Sequence, residues 1–117
     1  MTPLTKEERA LAVKVFGDDN LHVYTMIKRV HDNGSLVGIA GVTFRYKILP
    51  SLFLGLAASH RGQGRGKELL AAVLNEWKKP LFLTVYKDNV PALALYRKSG
   101  FRKIMGWGKQ KILMVRL

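Results

Sequence analysis

The 117-residue sequence predicts a single α/β domain, a mixed twisted sheet of about six strands flanked by about three helices. Three observations lead there. Apolar runs of strand length alternate with stretches of helical period. A strand, a helix and a strand follow one another over residues 51–86, a right-handed crossover that makes those two strands parallel neighbours. The first of them runs into a glycine-rich turn that opens the helix.

Taken in order, Thr5-Lys-Glu-Glu8 has the spacing of a capping box. Leu11, Ala12, Val15 and Phe16 then share one helical face ahead of Gly17. Asp18-Asp-Asn20 reads as a turn. Residues 21–31 and 35–47 read as a hairpin reversed at Asp32-Asn33-Gly34, with Gly38 and Gly41 marking places where little side-chain volume fits. After a connection at Ile48-Leu49-Pro50, residues 51–58 lack clean alternation and predict a strand buried on both faces. The helix should run over 64–79, with Leu69, Leu70, Val73, Leu74 and Trp77 inward, and stop at Pro80. A strand follows over 81–86. A helix opened by Asp88-Asn-Val-Pro91, with Ala92, Leu95, Tyr96 and Ser99 on one face, closes at Gly100. Residues 101–105 and 110–117 predict two last strands, joined across Gly106-Trp107-Gly108.

Composition narrows the function classes. There is no cysteine, which excludes a disulfide framework, thiolate metal sites and a thiol nucleophile, and His22, His31 and His60 are scattered, so no metal is expected. No apolar run is long enough to span a membrane and no charged-then-apolar leader is present, an expectation of a soluble, cytoplasmic protein. Charge is the unusual feature, with 20 Lys and Arg against 8 Asp and Glu, net +12. Residues 1–50 hold seven basic and five acidic side chains, residues 51–88 six and three, and residues 89–117 seven and none. Such a field draws polyanions or serves solubility alone.

The turn carries the chemistry. Gly62, Gly64 and Gly66 alternate with Arg61, Gln63 and Arg65, so the chain bends tightly and a ligand reaches backbone N–H groups without meeting side chains. The helix start supplies donors without intrahelical partners at the positive end of its dipole, reinforced by Arg61, Arg65 and Lys67. The turn reads as an anion site, or as a glycine-rich loop with no ligand. The nucleotide P-loop pattern fails at Arg61 and Glu68, and the dinucleotide pattern G-x-G-x-x-G fails at Lys67 and Leu69.

The hexapeptide Arg61-Gly62-Gln63-Gly64-Arg65-Gly66 does resemble the Q/R-x-x-G-x-G/A signature of the GCN5-related N-acetyltransferases (GNAT). Asn89-Val-Pro-Ala92-Leu-Ala-Leu-Tyr96-Arg-Lys-Ser-Gly100-Phe101 resembles that family's N-x-x-A-x-x-L-Y-x-x-x-G-F hallmark, one strand later as the family places it. The resemblance covers roughly residues 21–117. It implies a GNAT fold whose central parallel pair splays to bind acetyl-coenzyme A, and transfer of the acetyl group to a primary amine by direct attack. It further implies that backbone groups of Leu54 to Ala57, Leu56 included, meet the pantetheine arm. An N–H near Leu54 or Leu56 would polarise the thioester, turn 61–67 would hold the pyrophosphate, Asn89 would contact the cofactor, and Tyr96 would protonate the departing thiolate.

Each residue also has a plain structural reading. Tyr96 can be a core aromatic, Asn89 a helix cap, Gly100 and Phe101 a C-cap and a core anchor, and Trp107 a turn residue packed on the sheet or part of the acceptor pocket. Two departures from the family pattern stand out. Residues 50–59 hold no acid to act as general base, leaving His22, His31, His60 or a bound water. The usual N-terminal strand and one early helix are missing or reduced to residues 6–16, which leaves the acceptor pocket open or completed by a second subunit in a homodimer. The alternative function is a catalytically reduced module that binds nucleic acid, or an acidic partner, through the basic C-terminal region.

Overall fold

The computed structural model describes residues 2–16, 23–46 and 49–117. The expected turn at 18–20, His22, and the chain at 47–48 lie outside them. The chain divides into two compact units, Met1–Lys78 and Lys79–Leu117.

In the first unit a two-residue strand β1 (Thr2–Pro3) pairs with β2 (Val23–Tyr24), so the N-terminal strand expected to be missing is present as a stub. Helix α1 (Lys6–Phe16) opens on the capping box the sequence spells out. The Glu8 N–H donates to Thr5 Oγ1 at 3.2 Å, and the Thr5 N–H donates to Glu8 Oε1 at 2.9 Å. Glu8 is also fully buried, and its carboxylate accepts from the Arg29 guanidinium, which in turn donates to Tyr24 Oη at 3.1 Å. That pairing makes a buried acid tolerable and raises the Arg29 pKa.

Strands β3 (Met26–Asp32), β4 (Ser35–Tyr46) and β5 (Leu49–Leu56) are antiparallel neighbours in that order. The β3–β4 reversal has Asn33 and Gly34 both at positive φ, 51° and 79°, the twist a two-residue hairpin requires. Strand β5 begins at Leu49, two residues earlier than expected. Pro50 is accommodated because the β4–β5 register shifts between Thr43 and Tyr46, where a missing N–H breaks no regular ladder. Residues 51–53, 55 and 56 are buried, as a central strand demands.

Glycine fixes the spacing here. A Cβ on Gly41 would lie 2.1 Å from the Met26 carbonyl oxygen, and one on Gly55 would lie 2.5 Å from Val15 Cγ2 of α1. The core between α1 and the strands is built from Leu4, Leu11, Ala12, Tyr24, Ile39 and Phe53. Helix α2 (Arg65–Glu76) buries Leu69, Leu70 and Val73. It ends three residues short of the expected Lys79. Continuing would drive the Pro80 ring into the Glu76 carbonyl and force Lys79 out of its pre-proline preference, so Trp77 turns extended after one last bond to Val73.

In the second unit β6 (Leu81–Tyr86), β8 (Lys111–Arg116) and β7 (Arg102–Trp107) are antiparallel neighbours in that order, and α3 (Val90–Lys98) connects β6 to β7. Gly106 and Trp107 belong to β7, with Trp107 opposite Lys111. The reversal therefore falls at Gly108 (φ 71°), Lys109 and Gln110 rather than across Trp107. Leu93, left off the expected inner face of α3, is buried beside Tyr96 in the sequence pattern. Together these strands and helices are the mixed six-stranded sheet with three helices that the sequence predicts.

Gly41→Ala is expected to lower stability by about 2–3 kcal/mol, because the nearest clashing atoms, of Met26 and Ile27, are backbone and cannot step aside. Gly106→Ala, with nothing within 4 Å of the added carbon, should stay within about 0.5 kcal/mol. Urea unfolding of the two variants checks the contrast, and equal midpoints would contradict it.

Candidate functional site

The turn predicted to bind an anion is built as the sequence requires. A short 3-10 turn (Ala58–His60) follows β5, and Gly62 and Gly64 then adopt left-handed φ of 77° and 79°. A Cβ on either would meet nothing within 4 Å, so their glycine identity answers to backbone conformation and leaves an open approach. Gly66 differs: a Cβ there would make ordinary contact with Leu56 and Leu54, at 3.6 and 3.9 Å. Gly64 is the N-cap of α2 and offers no side-chain oxygen. The first intrahelical bond is from the Glu68 N–H to the Gly64 carbonyl at 3.1 Å, so the N–H groups ahead of it in the first turn have no acceptor in the helix.

The arginines brace this turn. Arg61 Nε donates to the Leu56 carbonyl at 3.1 Å, and Arg65 Nε lies 3.4 Å from Gln63 Oε1. Each guanidinium keeps further N–H groups beyond these bonds.

Strand β5 supplies the second set of donors. The Ala57 N–H donates to the Val37 carbonyl at 2.8 Å, which marks Ala57 and Val37 as a hydrogen-bonded antiparallel pair. Alternation then makes Gly55 with Ile39 bonded as well, and turns the N–H and C=O of Leu54 and Leu56 away from β4. The Leu56 carbonyl accepting from Arg61 fits that assignment. Leu54 and Leu56 therefore keep N–H groups that β4 does not use. Ala57 does not, since its N–H is on Val37 and its carbonyl accepts from the His60 N–H at 2.9 Å.

A cluster missed by the sequence reading stands beside the turn. His60 Nε2 is 2.8 Å from Asp32 Oδ2, and His60 Nδ1 is 2.7 Å from Ser59 Oγ. A carboxylate only accepts, so Nε2 carries the proton and Nδ1 faces the serine hydroxyl. Both ring nitrogens are engaged, which leaves His60 poorly placed to take a proton from a substrate. The hydrogen bond from His60, with the nearby Arg65 charge, holds the Asp32 carboxyl below its usual pKa. The signal lay in the sequence as a hairpin acid and a histidine 28 positions apart, a distance at which no local pattern links them. His31 is half-exposed, with Nε2 4.0 Å from Glu7 Oε1. Among the described residues no group of acids and histidines could hold a metal ion.

In the second unit Asn89 caps α3, its Oδ1 accepting from the Ala92 N–H at 3.3 Å. Tyr96 sits near the helix end, where the Phe101 N–H donates to the Tyr96 carbonyl at 3.0 Å and the Gly100 N–H to the Arg97 carbonyl at 3.1 Å. With Gly100 at φ 95° this is a Schellman motif, and the accompanying apolar contact is Tyr96 edge-on to Phe101, ring centroids 5.8 Å apart. The spacing Tyr-x-x-x-Gly-Phe is thus a helix stop that fixes the tyrosine ring. Burial pushes the Tyr96 pKa up to about 12, so the phenol is protonated at neutral pH.

Residues 2–101 match the acetyltransferase (GNAT) family. The chain is 34% identical over 79 residues to N-alpha-acetyltransferase RimI of Mycobacterium tuberculosis, a match covering 61% of this chain and 48% of that protein. Among solved structures, the putative acyl-CoA N-acyltransferase of Klebsiella pneumoniae superposes with a TM-score of 0.73 at 20% identity, over 99% of this chain and 92% of that one. The PaiA N-acetyltransferase of Thermoplasma acidophilum, solved in complex with coenzyme A, gives 0.62 at 19% identity over 78% and 59%. The chain spans between 21% and 48% of the length of the curated relatives it matches. Among the described residues no helix is long and apolar enough to cross a membrane.

Because Asp32 is held below its usual pKa by His60, its link to the turn stabilises the fold above the ordinary carboxylate pKa and is lost as pH falls through the lowered value. Asp32→Asn should lower the urea midpoint more near about pH 7 than at a pH below the ordinary carboxylate range. An equal drop at both pH values would show that the pair contributes no charge-dependent stability.

Proposed function

Because the chain belongs to the acetyltransferase (GNAT) family, we propose that it transfers an acetyl group from acetyl-coenzyme A to a primary amine by direct attack, as one cytoplasmic transferase domain over residues 1–117. The observation that carries the reading is turn 61–67, with its open left-handed glycines and the unpartnered donors at the start of α2. Those donors, with Arg61, Gln63, Arg65 and Lys67, would hold the pyrophosphate. The coenzyme A complex of the Thermoplasma relative and the amine-directed name of the Mycobacterium relative support the cosubstrate and the acceptor class.

The chain's own groups then divide the work. The N–H of Leu54 or Leu56, turned away from β4, polarises the thioester carbonyl and stabilises charge growing on its oxygen. The amine attacks that carbon, its proton leaves to solvent or to a held water, and the carbon–sulfur bond breaks as the tetrahedral intermediate collapses. Tyr96 donates to the sulfur as negative charge appears there. Its raised pKa keeps the donor protonated, and a phenol near 12 is a weaker acid than the thiol it faces. It therefore acts first as a hydrogen-bond donor to the thiolate. Asn89, besides capping α3, retains an amide NH2 for the cofactor.

A second reading, a family module without chemistry that binds a polyanionic partner, is favoured by one observation: the second unit carries nine basic side chains and one acid.

Calorimetric titration with acetyl-coenzyme A, followed by a thiol-release screen over amine classes, separates the two. Uptake with thiol release supports the transferase, whereas neither uptake nor release contradicts it. Tyr96→Phe should lower kcat by about 10²-fold or more and change cosubstrate affinity by less than about twofold. Equal losses in both would show a packing role instead.

A further inference from the structure

We infer that the β7–β8 end of the second unit is a docking surface for single-stranded nucleic acid, centred on Tyr86, Lys87, Lys109 and Lys111. The inference goes beyond acetyl transfer and does not depend on it.

Charge is the first observation. The second unit, one third of the chain, holds nine of the 20 basic side chains and only Asp88 among the acids, so it carries +8 of the net +12. Pairing is equally uneven. The ion pairs among the described residues, Lys28 with Glu76, Arg29 with Glu8, His31 with Glu7 and His60 with Asp32, all lie in the first unit. The cations of the second unit have no such compensation among the described residues. A cluster of this kind repels itself, and that repulsion is relieved when a polyanion binds.

Shape is the second. A concavity of about 300 Å3 is lined by Tyr86, Lys87, Asp88, Lys109 and Gln110. Backbone fixes its two sides relative to each other, since the Lys87 N–H donates to the Gln110 carbonyl at 2.8 Å and ties the end of β6 to the β7–β8 reversal. Tyr86 is 49% exposed, and Lys111 Nζ lies over its ring, 4.8 Å from the centroid. Next to the reversal, β7 is the terminal strand of its array, and its residues 102–106 are all exposed, Arg102 and Lys103 together with the apolar Ile104 and Met105.

Chemistry chooses the partner. An acidic peptide would use the ammonium groups alone. A single strand of nucleic acid uses both features, phosphates against Lys87, Lys109 and Lys111 and a base face against the exposed aromatic and apolar side chains. Only a weak sequence preference is expected, because stacking and phosphate contacts accept every base.

The test is a fluorescence anisotropy titration of the full chain with a labelled polyuridine strand of about ten nucleotides, repeated across salt concentrations. Binding should weaken steeply with salt. The triple variant Lys87→Gln, Lys109→Gln, Lys111→Gln should bind about tenfold or more weakly near 0.1 M salt, with a log–log salt slope shallower by about 2, three contacts at ~0.7 each. Its affinity for acetyl-coenzyme A, titrated separately, should stay within about twofold, so failure here and failure of the transferase reading are distinct results. Undetectable binding at low salt, or an unchanged slope in the triple variant, overturns the inference. So does equal competition by polyglutamate, which would assign the surface to an acidic protein. Complete displacement of the strand by saturating coenzyme A would assign the lysines to the cosubstrate, and also overturns it.

Discussion

The orphaned N–H groups at the start of α2 are the constraint on which the first unit depends. A helix end without acceptors must meet water or an anion. This one has no capping side chain, because its N-cap is Gly64 in a conformation that a side chain would strain. Around it, neighbouring contacts hold the donors still: Arg61 on the Leu56 carbonyl behind the turn, and His60 on Asp32 beside it. The antiparallel alternation of β4 with β5 then turns the amides of Leu54 and Leu56 away from β4, while the Ala57 N–H is spent on Val37.

The second unit fixes one aromatic ring at a helix end. Tyr96 lies at the residue where a Schellman motif collects its bonds, so the helix stop that needs Gly100 and Phe101 also locks the ring against Phe101. A hallmark that reads as catalytic from the sequence is in large part a folding device. The two roles are compatible, since a positioned donor needs a fixed backbone.

What was legible in the sequence was what local chemistry decides. The Thr5–Glu8 box, the Asn33-Gly34 reversal, the glycine turn and the Gly100 stop each involve residues within a few positions of one another, and each was placed correctly. The misses are non-local or depend on geometry at a boundary. Glu8 reads only as the closing half of a capping box until Arg29, 21 positions away, is folded against it. Asp32 reads as a turn residue until it meets His60. The end of α2 moved because a proline acts on the residues before it, and the last hairpin moved because Trp107 pairs with Lys111 instead of lying in the reversal.

The claim at the centre, that backbone donors of the turn grip an anionic carrier, is tested most directly by amide chemical shifts. In an isotope-labelled sample titrated with coenzyme A, the amides of Gly62, Gly64, Arg65, Gly66 and Lys67 are predicted to move most, and the same ones to gain protection from exchange. Unmoved turn amides at saturating carrier, with shifts confined elsewhere, would contradict the account.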